Sequence, residues 1–255
     1  TRNPMNHSQV SKIMLSPDKI DCIVFWTKDP RNIMDKLDIM DALGYKYYFQ
    51  FTLTPYDKSV EKGLRDKEEI IKTFCELSEK IGRDKVVWRY DPIILNDVFN
   101  TAFHKEQFAR LCEKLCRRAS YCIISFVDMY SKLKTNLLRP ISKDEMMEVG
   151  VIIAETAKDF GLTVKACCED LFLLDCGIGQ AGCIDKSLIE EICGYSLDGK
   201  RDKNQRRSCR CYESVDIGAY NTCRNGCVYC YANYSDISVA NNCKRHDPRG
   251  ELLIG

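Results

Sequence analysis

At 255 residues the chain is one large domain or two small ones, long enough to bury a substantial core. Its 38 basic and 37 acidic side chains leave a net charge of +1, which excludes a general electrostatic pull toward nucleic acid or an anionic membrane. No stretch is apolar for long enough to span a bilayer and Thr1 to Val10 carries no charged-then-apolar signal, so the expected protein is soluble and cytoplasmic, with no membrane partner. A first residue other than methionine reads as a processed or partial N-terminus.

Asp21 to Trp26 (DCIVFW) is a near-continuous apolar run, the pattern of a strand buried on both faces, and it ends in Thr27 and Lys28. Ile33, Leu37 and Met40 then recur at helical spacing up to Gly44, and Tyr47 to Leu53 is the next predicted strand. A second helical stripe, Ile70, Phe74, Leu77 and Ile81, stops at Gly82 before a third strand region, Lys85 to Leu95, with Pro92 near its end. Phe108, Leu111, Cys112 and Leu115 predict a third helix, followed by the strand Tyr121 to Val127. Ser142 and Glu145 form a capping-box pattern for a helix that Gly161 ends before the strand Thr163 to Ala166. After Leu171 the rhythm breaks: DCGIGQAGC reads as a loop, Ser187 to Ile192 as a short helix, Lys200 to Arg210 as a basic loop, and Ser214 to Ala219 as a last strand.

Strands alternating with helices predict an α/β fold with mostly parallel pairing. Residues 1–170 form its β/α part and 171–255 an irregular cysteine-rich part that completes it. Polar residues collect at the predicted C-terminal strand ends: Thr27 and Lys28; Gln50, Thr52 and Thr54; Arg89 and Asp91; Ser125 and Asp128; Glu169 and Asp170; Asn221. In parallel α/β folds that end carries the active site, although strand ends are also polar simply because they are solvated.

Sixteen cysteines without a secretory signal point to metal or redox chemistry rather than disulfides. Cys22, Cys75, Cys112, Cys116 and Cys122 fall within apolar patterns and read as small hydrophobes; the others crowd between Cys167 and Cys243. Cys223, Cys227 and Cys230 stand at C-x-x-x-C-x-x-C spacing, with Tyr229 before the last and with Asn225 and Gly226 able to supply positive backbone φ. A ferredoxin run would add a fourth cysteine and a proline at once. Zinc would need Cys243 or His246 to complete a tetrahedron, and a thioredoxin-like dithiol would leave Cys223 idle.

This spacing, with the aromatic before the third cysteine and the expected preceding strand, resembles the radical S-adenosylmethionine (SAM) superfamily. The resemblance implies that the three thiolates hold a [4Fe-4S] cluster whose fourth iron takes SAM, and that one electron then cleaves SAM to a 5′-deoxyadenosyl radical. It also implies an electron donor such as flavodoxin or ferredoxin, and a substrate that the sequence does not identify. In that superfamily the motif follows the first strand, whereas here it follows the last, so the expected fold is a partial, circularly permuted TIM-like barrel. FWTKDP, FQFTLTPY and WRYDPII are similar in order to successive strands of spore photoproduct lyase-type proteins.

A wider set of segments, RNPMN, WTKDP, TLTPY, WRYDPI, CGIGQAGCID, DKNQRRSCRC, DIGAYNTCRNGCVYCYANYS and HDP at His246, resembles the domain-of-unknown-function family DUF1848, for which no reaction is assigned. Its members begin with an additional segment containing a Ser-Arg-Arg-Thr-Asp-Ile-Pro-like stretch. That stretch is absent before Thr1, and if it supplies a barrel strand the chain is expected to be incomplete and inactive as it stands.

Among other candidates, Lys28, Arg89 and Asp91, with Tyr229, are expected to contact SAM or substrate, and an Arg89–Asp91 pair that only stabilises the fold is the competing reading. Cys176, Cys183, Cys209 and Cys211 are candidates for a second iron–sulfur cluster, against a reading as free structural thiols. Lys200, Arg201, Lys203, Arg206, Arg207 and Arg210 offer a patch for a nucleic-acid backbone or a solvated loop. His7, His104 and His246 form no pair by spacing, and His104 is expected on a helix surface. From a different class, the competing function is a non-SAM iron–sulfur or zinc-binding protein serving electron transfer or binding.

Overall fold

The computed structural model describes residues 1–2, 8–130, 133, 135–169, 171–206 and 208–254, so the readings on His7, Asp170 and Arg207 lie outside the described residues. Six strands, β1 (Ile23–Thr27), β2 (Tyr47–Thr52), β3 (Val86–Ile93), β4 (Cys122–Phe126), β5 (Val164–Cys167) and β6 (Gly179–Ala181), form one sheet in sequence order. Every neighbouring pair is parallel. The sheet does not close. It is an α/β fold compatible with a partial TIM-like barrel, and all its strands share one C-terminal edge.

The helices follow the strands: α1 (Arg31–Met34), α2 (Leu37–Ala42), α3 (Lys67–Ile81), α4 (Thr101–Leu115), α5 (Lys143–Asp159), α6 (Lys186–Cys193) and α7 (Asp236–Arg245). Local chemistry fixes several of their ends. Asp66 and Asn100 accept backbone N–H bonds at the starts of α3 and α4, and Ser142 and Glu145 form the reciprocal capping box of α5. Gly82 and Gly161, at φ +89° and +62°, turn the chain out of α3 and α5 in a conformation that disfavours a Cβ.

Alternate residues along each strand serve different cores. On one face Phe49, Phe51, Trp88, Tyr90 and Ile124 pack against Phe74, Phe108 and Ile153 of α3, α4 and α5, with the Trp88 and Phe108 rings stacked at 5.2 Å. On the other, Tyr48, Val87, Ile123 and Cys167 meet Leu188, Ile189, Leu197, Cys209 and Cys211 from the C-terminal third. A third cluster gathers Tyr56, Val60, Ile94, Phe99 and Val127 beyond the strand ends, with Val228 and Tyr229 packed against it.

Four expectations change. The last strand is not Ser214 to Ala219, which lies outside any ladder and exposes Val215 and Ile217; β6 lies instead inside the predicted DCGIGQAGC loop. Its residues Gly179, Gln180 and Ala181 are defined by pairing with Lys165, Ala166 and Cys167, not by apolar alternation. The Ile33–Met40 stripe is divided between α1 and α2. His104 is on α4 but on its buried face: its Nδ1 is 2.8 Å from the Tyr90 hydroxyl and its Nε2 2.8 Å from the Ile94 carbonyl. Burial lowers its pKa to about 4.

Candidate functional site

The C-x-x-x-C-x-x-C loop is held against the segment that joins β2 to α3. Cys227 forms an antiparallel bridge with Glu61, Val228 N–H donates to Val60 O at 2.9 Å, and Gly63 N–H donates to Asn225 O at 2.8 Å. Gly63 is required by this approach, because a Cβ there would sit 2.2 Å from Arg224 O. Within the loop Cys230 N–H donates to Cys227 O and Asn233 Nδ2 to Cys223 O. Positive φ occurs at Gly226, as expected, but its other site is Asn221 rather than Asn225. Asn221 accepts from Asn242 Nδ2 of α7 at 3.1 Å, tying the loop to that helix.

Glu61 is the centre of this junction. Its carboxylate, fully buried, accepts Lys28 Nζ at 2.7 Å and Thr54 Oγ1 at 2.8 Å, and further bonds from Lys67 Nζ and the Tyr229 hydroxyl. Burial alone would raise its pKa; Lys28 and Lys67 outweigh that and hold it down to about 2. The Lys28 ammonium also lies 5.4 Å from the Tyr229 ring centre. Burial pushes the Cys227 thiol up to about 11, against the pull of Lys28. The Cys223 thiol is raised by local desolvation and by two thiols beside it, Cys230 and Cys243.

A second polar group lies inward. Arg89 Nε donates to Asp91 at 2.9 Å, and its Nη1 faces Gln50 Oε1 at 3.3 Å and Cys183 Sγ at 3.0 Å. Asp91 also accepts from Ser125. Beside Arg89, Cys167 and Cys183 approach to 2.7 Å between sulfurs, and Cys168, Cys209 and Cys211 complete a ring of thiol contacts. Cys176 stands apart, its thiol donating to Leu173 O. Among the described residues no three or more His, Cys, Asp or Glu side chains already stand at the spacing of a metal coordination sphere.

The family described as domain of unknown function (DUF1848) matches residues 1–232. The chain belongs to this family. No protein of curated function matches it. The DUF1848 span takes in all six strands and Cys223, Cys227 and Cys230, and ends before α7 and Cys243.

In this DUF1848 chain the sequence-derived residues fall into two groups. Lys28, Tyr229 and Cys227 come together around Glu61, with Cys223 and Cys230 in the same loop, while Arg89 and Asp91 pair with each other among Cys167, Cys183, Gln50 and Ser125. Sequence reasoning missed Glu61, a single acid in a loop, and it missed Cys167 and Cys168 as partners of Cys183. Cys168 carried one usable signal, its place in a Cys-Cys pair directly after a strand. The basic loop is partly tied down: Arg206 bonds Asp128 and Tyr130, and Arg210 bonds Gln180. Concavities near Asn96 and Arg139, and near Glu190 and Tyr195, contain none of these cysteines. No described helix is long and apolar enough to cross a membrane.

Proposed function

We propose that the chain is a radical SAM-type iron–sulfur enzyme acting on a substrate still to be identified. The observation that carries this reading is the docking of the cysteine loop: the Cys227–Glu61 bridge and the Tyr229–Glu61 hydrogen bond hold the loop with the three thiols against the segment that leaves β2, with Cys223 and Cys227 near Lys28. In parallel α/β sheets that edge is where ligands are bound.

The donor chemistry fits a [4Fe-4S] cluster held by Cys223, Cys227 and Cys230, because three soft thiolates in one loop leave one iron without a protein ligand. Such a cluster, when bound, supplies the electron for reductive cleavage of SAM. The protein's own part is positioning and charge. Lys28 offsets the negative charge of the thiolates, Tyr229 and Glu61 fix the loop, and Lys67 keeps Glu61 ionised. Flavodoxin or ferredoxin is the class of donor expected to deliver the electron.

Cys243 favours one second reading. Its sulfur accepts from Arg224 Nε at 3.3 Å and lies beside Cys223, so it is a candidate fourth thiolate for zinc or a closed cluster without SAM chemistry. Electron paramagnetic resonance of the anaerobically reconstituted, dithionite-reduced protein separates the two. The proposal expects a reduced-cluster signal that changes when SAM is added; an unchanged signal, or a colourless protein with stoichiometric zinc, overturns it.

A further inference from the structure

The cysteine ring beside Arg89 lies apart from the motif loop, at the sheet face packed by the C-terminal third, where its thiols contact one another as well as apolar side chains. It is assembled from three separate segments: Cys167 and Cys168 at the end of β5, Cys183 just after β6, and Cys209 and Cys211 in the returning loop. Around the ring Cys167 meets Cys183, Cys183 meets Cys211, Cys211 meets Cys209, Cys209 meets Cys168, and Cys168 meets Cys167. All five are free thiols. Thiols serving as small hydrophobes are expected to be dispersed among apolar side chains, as Cys112 and Cys122 are in the helix-facing core.

The backbone is shaped for this convergence. Gly182 lies against the 210 carbonyl so closely that a Cβ would sit 2.6 Å from Arg210 O, which brings Cys183 onto the Cys209–Cys211 segment. Cys168 has φ +59°, an unusual conformation for a residue with a Cβ, and it places adjacent cysteines in the same ring. Three backbone N–H groups point at sulfur: Cys183 N–H and Ile184 N–H to Cys211 Sγ at 3.1 and 3.5 Å, and Cys211 N–H to Cys209 Sγ at 3.4 Å. Donors aimed at sulfur, with a guanidinium 3.0 Å from a third thiol, that of Cys183, are the surroundings that stabilise thiolates around a soft cation.

We propose that Cys167, Cys168, Cys183, Cys209 and Cys211 supply the ligands of a second, thiolate-bound metal centre, of iron–sulfur or zinc type, with Arg89 balancing its charge. The assignment replaces Cys176 with the Cys167–Cys168 pair and is independent of the SAM reading. Two thiolates on one tetrahedral zinc are about 3.8 Å apart. The 2.7 Å between Cys167 and Cys183 must therefore widen on binding, through side-chain torsions of these residues.

The test uses the full chain carrying Cys223→Ser, Cys227→Ser and Cys230→Ser, which removes the motif loop's thiols and leaves the ring. It is loaded anaerobically with iron and sulfide in one arm and with zinc in the other, and cobalt(II) serves as an optical probe of thiolate ligation. Either iron with matching acid-labile sulfide, or one equivalent of zinc with thiolate-to-cobalt absorption, supports the site, provided that adding Cys183→Ser and Cys211→Ser abolishes it. Gly182→Ala, which keeps every thiol, is expected to weaken cobalt binding by ~10-fold or more through misplaced donors. A triple variant that stays folded by circular dichroism yet binds none of these metals overturns the proposal. So does a metal-free Cys167–Cys183 disulfide found by mass spectrometry after anaerobic purification. Failure of SAM cleavage by the fully loaded wild-type chain, when the triple variant still binds metal, would sink only the SAM reading.

Discussion

The Tyr229 hydroxyl donates to the Glu61 carboxylate across 168 residues of sequence, and this bond joins the cysteine loop to the β2 end of the sheet. Glu61 is paired with two lysines that are themselves largely shielded. Glu61→Ala would leave both cations without their carboxylate, which costs about 3–5 kcal/mol when such a buried pair is broken from one side. Tyr229→Phe removes one hydrogen bond to a charged group and is expected to cost about 1.5–3 kcal/mol. Urea unfolding of the two variants checks both values and their order.

Lys28 and Lys67 share Glu61 but differ in what else they face. Each removal strips one charged partner from Glu61, so Lys28→Ala and Lys67→Ala should destabilise the fold to a similar extent. Only Lys28 lies over the Tyr229 ring and acts on both the Cys223 and Cys227 thiols. On the proposed function, Lys28→Ala weakens SAM binding by ~10-fold or more and Lys67→Ala by much less, as read by isothermal titration of the reconstituted protein.

His104 gives the fold a pH signature. Burial depresses its folded-state pKa to about 4, below the ordinary value of 6.5, so the unfolded chain takes up the proton first. Its contribution is therefore fully present above pH 6.5 and is lost as pH falls toward 4, by on the order of 3 kcal/mol over that window. Glu169 works in the opposite sense, since burial raises its pKa to about 7 and its contribution is lost as pH rises from 4.5. The comparison of interest is thus the difference between wild type and His104→Gln, whose stability gap should narrow steadily between pH 6.5 and 4.

Gly63→Ala tests the docking of the loop without touching a cysteine. The added Cβ would collide with the Arg224 carbonyl, a backbone atom that cannot rotate away. The expected result is faster proteolytic cleavage between residues 220 and 232 and weaker iron retention, with the circular dichroism of the sheet unchanged.

The sheet was legible wherever burial on both faces writes itself as a continuous apolar run, as in Tyr47–Thr52 and Val86–Ile93. It was illegible at Gly179–Ala181, whose strand character comes from its partner β5. Ser214–Ala219 shows the converse: alternating Val215 and Ile217 look like a strand, but no neighbour completes a ladder. The Cys223, Cys227 and Cys230 pattern was visible because its spacing is local. Glu61 was not, because its meaning depends on Lys28, Lys67, Thr54 and Tyr229 arriving from four other positions. His104 followed the same logic: its helix was readable, whereas the Tyr90 and Ile94 partners that make burial tolerable are set by the tertiary fold.

The most direct measurement is chromatographic detection of 5′-deoxyadenosine after the anaerobically reconstituted protein is mixed with SAM and dithionite. 5′-Deoxyadenosine is expected from the wild-type chain and none from the Cys223→Ser/Cys227→Ser/Cys230→Ser variant. Absence of 5′-deoxyadenosine from wild-type protein that carries its full complement of iron at the motif loop would contradict the SAM reading.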